Sequence, residues 1–375
     1  YELTENYRSK NNLVEFTNQF VEKINHRLKE MPIVARTNEL GSVRLTKYSD
    51  SHLIEPVVKD IISTDLTGTT CVLTHTNADA LQVTGLLVNE GLPAKLIQTN
   101  EGFNLYNLLE VRYFIEQLQL TENTYTISDN NWNAAKRKLW DKFKNSTKIE
   151  ICINMIKDFE LSNPKNKYQS DIEVFIKESK LEDFVSANGE MIFVSTIHKA
   201  KGKEFDNVFI MLNGFNVRTD ERKRQLYVAM TRAKQGLSIH LNGSYLDDIF
   251  CQDLVQKTDD FTYNPANILV LHLSHKDIWL DYFISKKVAI SSFKSGDKLT
   301  ADKDGCRDKD GNYVVKFSGK FKEEIIKHES NGYMLTEAMI NYIVYWQKKD
   351  MENEVKIILP ELKFKKQEAP TVCHT

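Results

Sequence analysis

Apolar positions along the first hundred residues recur with two periods. Between residues 11 and 30, Leu13, Phe16, Phe20, Val21, Ile24 and Leu28 fall three and four apart, with Lys, Glu and Asn between them. That spacing predicts an amphipathic helix with one buried face. Ser42–Tyr48 reads as a strand, and His52–Ser63 as a second helix carrying Ile54, Val57, Val58, Ile61 and Ile62. Thr70–Thr74 is a short apolar strand followed at once by Thr76-Asn77-Ala78-Asp79, where Asn77 is suited to cap a helix. That helix runs to Glu90-Gly91, the glycine being a good stop, and Leu92–Ile97 is again strand-like. Strands alternating with helices through short polar turns predict a parallel sheet covered on both faces.

From 105 to 185 strand signals give way to Lys, Asn and Glu with helical patterns such as Leu108, Leu109, Val111, Phe114, Ile115 and Leu118. Apolar, β-branched strands return at Met191–Thr196 and Val208–Leu212, followed by a helix at 221–234 and a strand at Leu237–Leu241. The α/β unit therefore stops near residue 105 and resumes near 190. The pattern predicts an α/β domain with a parallel sheet, of residues 1–104 and 186–245, interrupted by a helical insertion at 105–185. Residues 246–375 are expected to form a small β-rich accessory domain. Its strand candidates are 268–272, 278–284, 287–293 and 312–317, with one helix near 335–349 and a disordered tail after 365.

Composition narrows the class. The 375 residues are 41% hydrophobic and 27% charged, as in ordinary globular proteins, and long enough for several cores. A net charge of -2 excludes a bulk polycation, though one local positive track would suffice for a nucleic acid. Five cysteines at 71, 152, 251, 306 and 373 have no CxxC spacing, which fits a reducing, cytoplasmic setting without a zinc knuckle. No apolar run is long enough to span a bilayer, so no membrane partner is expected. The first residue is Tyr1, which suggests a piece of a longer chain.

Three segments carry chemistry. The first is Asn6-Tyr7-Arg8-Ser9. The second is the run Thr196 to Phe205 (TIHKAKGKEF), and the third is Glu221 to Lys234 (ERKRQLYVAMTRAK). A tyrosine beside an arginine can stack on a base while the guanidinium forks onto a phosphate. A strand-leaving loop with three lysines, a histidine and a glycine suits a phosphodiester backbone. An arginine reaching transferring phosphoryl oxygens acts as a finger. Singly, each segment reads as readily as a helix cap or a solvated charge run.

In this order the segments resemble the motifs NYRS, TxHxxKGxEF and YVAxTRA of the second RecA-like motor domain in UvrD/Rep-like superfamily-one DNA helicases, which implies a RecA-like fold for the α/β domain. Val72-Leu73-Thr74-His75-Thr76-Asn77 resembles that family's VLxRTN. The resemblance covers residues 1–245, with the insertion where the family has its 2B subdomain. It implies that Tyr7 stacks on adenine, that Arg8 and Arg232 reach the γ-phosphate, and that Glu204 touches the ribose. It further implies that His75, Asn77, Thr196, His198, Lys199 and Lys201 lie along single-stranded DNA. His75 departs from the family's Arg, and Lys203 from a frequent Leu.

No GxxxxGK[ST] occurs in the chain, nor an Asp-Glu strand end that would hold magnesium. The resemblance puts both on a first motor domain ahead of NYRS. The expectation is thus the C-terminal part of an ATP-dependent DNA helicase acting in DNA repair. It would use ATP and Mg2+ through that missing domain and be inactive as an ATPase alone. The C-terminal domain is expected to offer a surface for a protein partner. The rival reading is a non-catalytic scaffold that binds DNA or protein.

Overall fold

The computed structural model describes all residues except 1–3, 27–30, 98–102, 120–124, 180, 185–190, 201, 286–289, 350 and 368–375. In chain order the elements begin with β1 (Glu5–Asn6), α1 (Asn11–Val21), β2 (Val34–Ala35), β3 (Ser42–Tyr48) and α2 (Ile54–Ser63). Next come β4 (Thr70–Thr74), α3 (Asn77–Asn89) and β5 (Ala94–Leu96). The helices α4 (Leu109–Gln117), α5 (Asp129–Phe143), α6 (Ile149–Ser162) and α7 (Gln169–Glu178) follow. Strands return as β6 (Ile192–Thr196) and β7 (Phe205–Leu212), then α8 (Asp220–Met230), β8 (Ala233–Leu241) and β9 (Leu254–Asp259). The chain continues through β10 (Ile268–His272), α9 (Leu280–Ser285), β11 (Lys298–Asp302), β12 (Gly305–Arg307) and β13 (Tyr313–Lys316). It closes with α10 (Gly319–Ser330), β14 (Tyr333–Trp346) and β15 (Val355–Lys366). No described helix is long and apolar enough to cross a membrane.

These elements form two compact units, residues 1–99 with 188–269 and residues 100–187 with 270–375. The first is the expected α/β unit. Its seven strands run in the order β5-β6-β4-β7-β8-β3-β9, every pair parallel. Alternation along the strands fills a core on each side. Val43, Leu45, Cys71, Leu73, Val208, Ile210, Leu237 and Ile239 meet Leu13, Phe16 and Phe20 of α1 and Leu226, Ala229 and Met230 of α8. Val72, Ile192, Val194, Phe209 and Met211 meet Val57, Val58 and Ile61 of α2 and Val83 and Leu87 of α3. Coverage on both faces explains why all five residues of β4 are buried. The sheet also gains β9 at its edge, beyond the expected boundary at 245. The mostly exposed sequence of that strand gives no apolar signal.

Cap chemistry differs in one detail. Thr76, not Asn77, caps α3: its Oγ1 accepts from the Asp79 amide at 3.0 Å. Gly91 ends the helix region with φ +79°, as expected of a glycine stop.

In the second unit, α4 to α7 enclose Phe114, Trp132, Leu139, Phe143, Met155, Ile156 and Phe159. Phe114 meets Trp132 edge-on at 5.2 Å. A six-stranded sheet runs β10-β15-β14-β11-β12-β13. Where three domains were expected, the helical insertion and the C-terminal sheet share this one unit. Leu108 bridges to Val344, Arg112 pairs with Glu354, and Glu110 Oε1 accepts from Ser146 Oγ and from Ser295 Oγ at 3.3 Å. Contacts between segments about 200 residues apart leave no local trace in sequence.

The expected helix at 335–349 is the long strand β14, antiparallel to β15 from Tyr333↔Lys366 to Trp346↔Val355. Its run of Tyr, Ile, Val and Trp favours a pleated surface, and β15 supplies the partner. The expected strand at 278–284 is instead helical from Leu280, and α10 was not anticipated. Part of the strand expected at 287–293 lies outside the described residues, and residues 290–292 form a single 3-10 turn. β15 runs on to Lys366, and the rest of the expected tail, from 368, lies outside the described residues.

Candidate functional site

The three segments assemble at two opposite edges of the parallel sheet. At the edge where strands begin, Asn6 folds the first segment. Its Oδ1 accepts from the amides of Arg8 at 2.8 Å and Ser9 at 2.9 Å, an Asx turn. Ser9 Oγ then donates to the Ala233 carbonyl at 2.9 Å, and the Lys10 amide to Lys234 at 3.0 Å. The segment is thereby stitched to the start of β8. Arg8 points at Glu204, the residue before β7, and forms an ion pair with it. Its Nη2 donates to the Thr231 carbonyl at 3.1 Å, while its buried Nε has no partner.

Arg232 precedes β8 beside the same carboxylate. Its Nε donates to Val228 O at 3.0 Å, Nη1 to Lys203 O at 3.2 Å and Nη2 to Thr231 Oγ1 at 3.3 Å. Burial, and then the like charge of Arg8, push the Arg232 guanidinium below its ordinary value, with Glu204 opposing. Two guanidiniums therefore lie near one carboxylate, which forms an ion pair with Arg8 alone. Such an electropositive pair suits an anion. Tyr7 stands 76% exposed beside them, with Arg36 over its ring at 5.7 Å.

At the opposite edge, where strands end, Thr74 and Thr196 are register partners, and Thr74 is level with Met211. Phe205 is level with Ala233 at the other end. Six residues of strand at about 3.3 Å each separate the two levels by roughly 20 Å. Here Lys199 Nζ donates to Asn77 Oδ1 at 3.3 Å, and His198 is exposed. His75 packs edge-on against Phe215 at 5.0 Å, beneath Arg222. Burial first, then Arg222 and His198, push its imidazole below the ordinary value against the pull of Asp79. Thr196 is 6% exposed, and its carbonyl accepts from the Lys199 and Ala200 amides at 3.0 and 3.2 Å, shaping the turn. Lys201 lies outside the described residues.

One segment joins the edges. β6 and β7 flank β4, and of the residues between them Ile197 and Ala200 are sunk in the core as anchors. Gly202 has φ +86°, a conformation that favours glycine. His198 and Lys199 thus sit at one end of a short crossover whose other end is Glu204.

Sequence reading gave no role to Asn6, whose side chain sets the pose of Arg8, or to the carbonyls of Lys203 and Thr231 that hold the arginines. Nor did it separate Arg222 from the basic run at 222–224. Asn6 alone had a local signal, an Asx-turn residue two positions before the arginine.

Among curated proteins none matches this chain. Among solved structures, the C-terminal domain of a possible DNA helicase from Lactobacillus plantarum WCFS1 is similar at 15% identity and a TM-score of 0.33. That likeness spans 67% of this chain and 98% of the other, too loose a match to bear on the site. The family pattern described as UvrD-like helicase C-terminal domain matches residues 1–130 and 126–244, a span that takes in both edges. The chain belongs to the UvrD-like helicase C-terminal domain family.

Proposed function

We propose that this chain is the second half of an ATP-driven translocase on single-stranded DNA. Its strand-beginning edge completes an ATP site, and its strand-ending edge grips the nucleic acid. The observation that carries the reading is the grouping of Arg8 and Arg232 near Glu204, with Tyr7 exposed alongside. Two neighbouring cations with one paired carboxylate between them, Arg8 with an unpartnered buried Nε, fit the terminal phosphate of a triphosphate better than they fit each other. Tyr7 would stack on the base, and Glu204, released from Arg8, would meet the ribose. Arg8 and Arg232 would stabilise charge on the transferring phosphoryl group.

The sequence has no GxxxxGK[ST] phosphate loop and no Asp-Glu strand end for Mg2+, so on this reading another motor domain supplies the floor of the site. Magnesium, held there, would neutralise phosphate charge. On its own the chain is then a binder without turnover. His75, Asn77, Thr196, His198, Lys199 and Lys201 are the proposed DNA edge, Thr196 acting through the turn it builds. The 197–204 connection would offer a coupling path between Glu204 and Lys199. Action in DNA repair and a cytoplasmic setting follow from family analogy.

The test is steady-state ATP hydrolysis by a polypeptide carrying this chain behind a phosphate-loop motor domain, with and without single-stranded DNA. DNA-stimulated turnover supports the motor. Hydrolysis that ignores DNA, or its absence, leaves the binding scaffold as the better reading.

A further inference from the structure

Three arginines and lysines open α8, and they have different fates. Lys223 Nζ donates to the Lys23 carbonyl at 2.5 Å, and Arg224 Nη2 to the His26 carbonyl at 2.9 Å, so both tie α8 to the end of α1. Arg222 turns the other way, to the strand-ending edge. Its Nη1 lies 3.3 Å from Nδ1 and 3.2 Å from Nε2 of His75. Near-equal distances to both ring nitrogens put Nη1 over the ring face, outside the ring plane where a nitrogen lone pair would accept. Phe215 backs the arrangement, with the Arg222 guanidinium 5.6 Å from its ring.

The donors of Arg222 are largely unspent. Nη1 reaches Gln225 Oε1 only at 3.5 Å. Among the described residues Nε and Nη2 have no hydrogen-bond partner, and no carboxylate forms an ion pair with this guanidinium. A half-buried arginine, held against an imidazole and a phenyl ring that meet edge-on, with Nε and Nη2 of its fork unpaired, is arranged for a bidentate anion contact. On the same edge stand Lys199, Asn77 and His198.

We infer that Arg222 clamps a backbone phosphate of single-stranded DNA, supplying from α8 the guanidinium that position 75 lacks, with the His75 ring as its stacking platform. This rests on the DNA edge proposed above. It assigns a role to a residue outside the three matched motifs' contacts, and explains how a histidine at position 75 is compatible with a phosphate grip.

The test measures binding of a fluorescein-labelled oligothymidylate to the chain across a salt series. The variants are Arg222→Gln, the double variant His75→Arg with Arg222→Gln, and Asn77→Ala with Lys199→Ala. Arg222→Gln is expected to weaken binding about tenfold, as loss of a charge-assisted contact does. It should also flatten the log–log salt slope by about 0.7, the share of one phosphate on a single strand. The His75→Arg, Arg222→Gln pair should regain most of the affinity and slope, since the guanidinium returns from the other side. If Asn77→Ala with Lys199→Ala weakens binding while Arg222→Gln changes neither affinity nor slope, this inference is overturned and the DNA edge stands. If the double variant stays as weak as Arg222→Gln, Arg222 is only packing support and the inference fails. If Asn77→Ala with Lys199→Ala leaves binding intact, the DNA edge itself falls.

Discussion

Asp60 holds together a polar network inside the first unit. Its Oδ1 accepts from Arg44 Nη1 at 2.9 Å, and its Oδ2 lies 3.1 Å from His240 Nε2. His240 Nδ1 is 2.8 Å from Tyr48 Oη, and Arg44 also donates to Ser238 Oγ and Thr64 Oγ1, both at 2.9 Å. His240 is 1% exposed. Replacing Asp60 with alanine leaves the imidazole without its acceptor and the guanidinium without its counter-charge. Breaking a fully buried pair costs about 3–5 kcal/mol; side chains still 23–26% exposed admit some water, which lowers the expectation to about 2–3 kcal/mol. For a unit of this size that is a fall in melting temperature of about 5–10 °C.

The pH dependence has a definite sign. Burial alone would raise the Asp60 carboxyl, but His240 and Arg44 outweigh it and hold the group below its ordinary value. A depressed carboxyl contributes stability above its unfolded pKa, near 3.9, and loses it as pH falls through the lower folded value. The gap between the parent and Asp60→Ala should therefore be full at pH 7 and narrow below about pH 4. All four tryptophans, at 132, 140, 279 and 346, lie in the second unit, so their fluorescence is an internal control. Hydrogen exchange of β3 and β8 amides reads the first unit. An Asp60→Ala protein that protects those amides as the parent does at pH 7, or a gap that persists unchanged into acid, refutes this account.

Three further outcomes are expected. Burial raises the Glu110 carboxyl above its ordinary value, so its stability contribution is present in acid and lost as pH rises through the folded pKa; Glu110→Gln should gain on the parent from pH 5 to pH 8 in tryptophan-monitored unfolding. A methyl group at Gly41 would sit 2.2 Å from the Gln235 carbonyl oxygen, so Gly41→Ala should cost about 1–3 kcal/mol in denaturant unfolding of the first unit. Glu204→Gln removes a part-exposed ion pair with Arg8, so it should shift stability by under about 1 kcal/mol in the same assay. The same change should weaken binding of a fluorescent ATP analogue by the two-domain polypeptide.

Much of the first unit was legible because its strands are buried on both faces. Thr70–Thr74 and Val208–Leu212 announce themselves as apolar runs, and α1 and α2 as periodic stripes. Tyr7, Arg8, Glu204 and Arg232 were legible as local strings. Their meeting was not, because Arg8 and Glu204 are 196 positions apart and only sheet order brings them together. β14 was misread because its bulges, between Leu335 and Glu337 and between Ile340 and Tyr342, break the strict alternation that marks a strand. Arg222 looked like its neighbours Lys223 and Arg224. The turn of a helix, which sends adjacent side chains in directions about 100° apart, separates them only in three dimensions.

The central claim is that one domain uses its two sheet edges for two tasks, nucleotide at Arg232 and single-stranded DNA at Lys199 and Asn77. The most direct test compares Arg232→Ala with Asn77→Ala, Lys199→Ala in the two-domain polypeptide, measuring ATP turnover and oligothymidylate binding on each. Arg232→Ala should cut turnover by about a hundredfold or more while DNA binding holds. Asn77→Ala with Lys199→Ala should weaken DNA binding and abolish stimulation by DNA, with DNA-independent turnover retained. Variants that lose both properties together, or an Arg232→Ala protein that hydrolyses ATP as the parent does, would contradict the assignment of the edges.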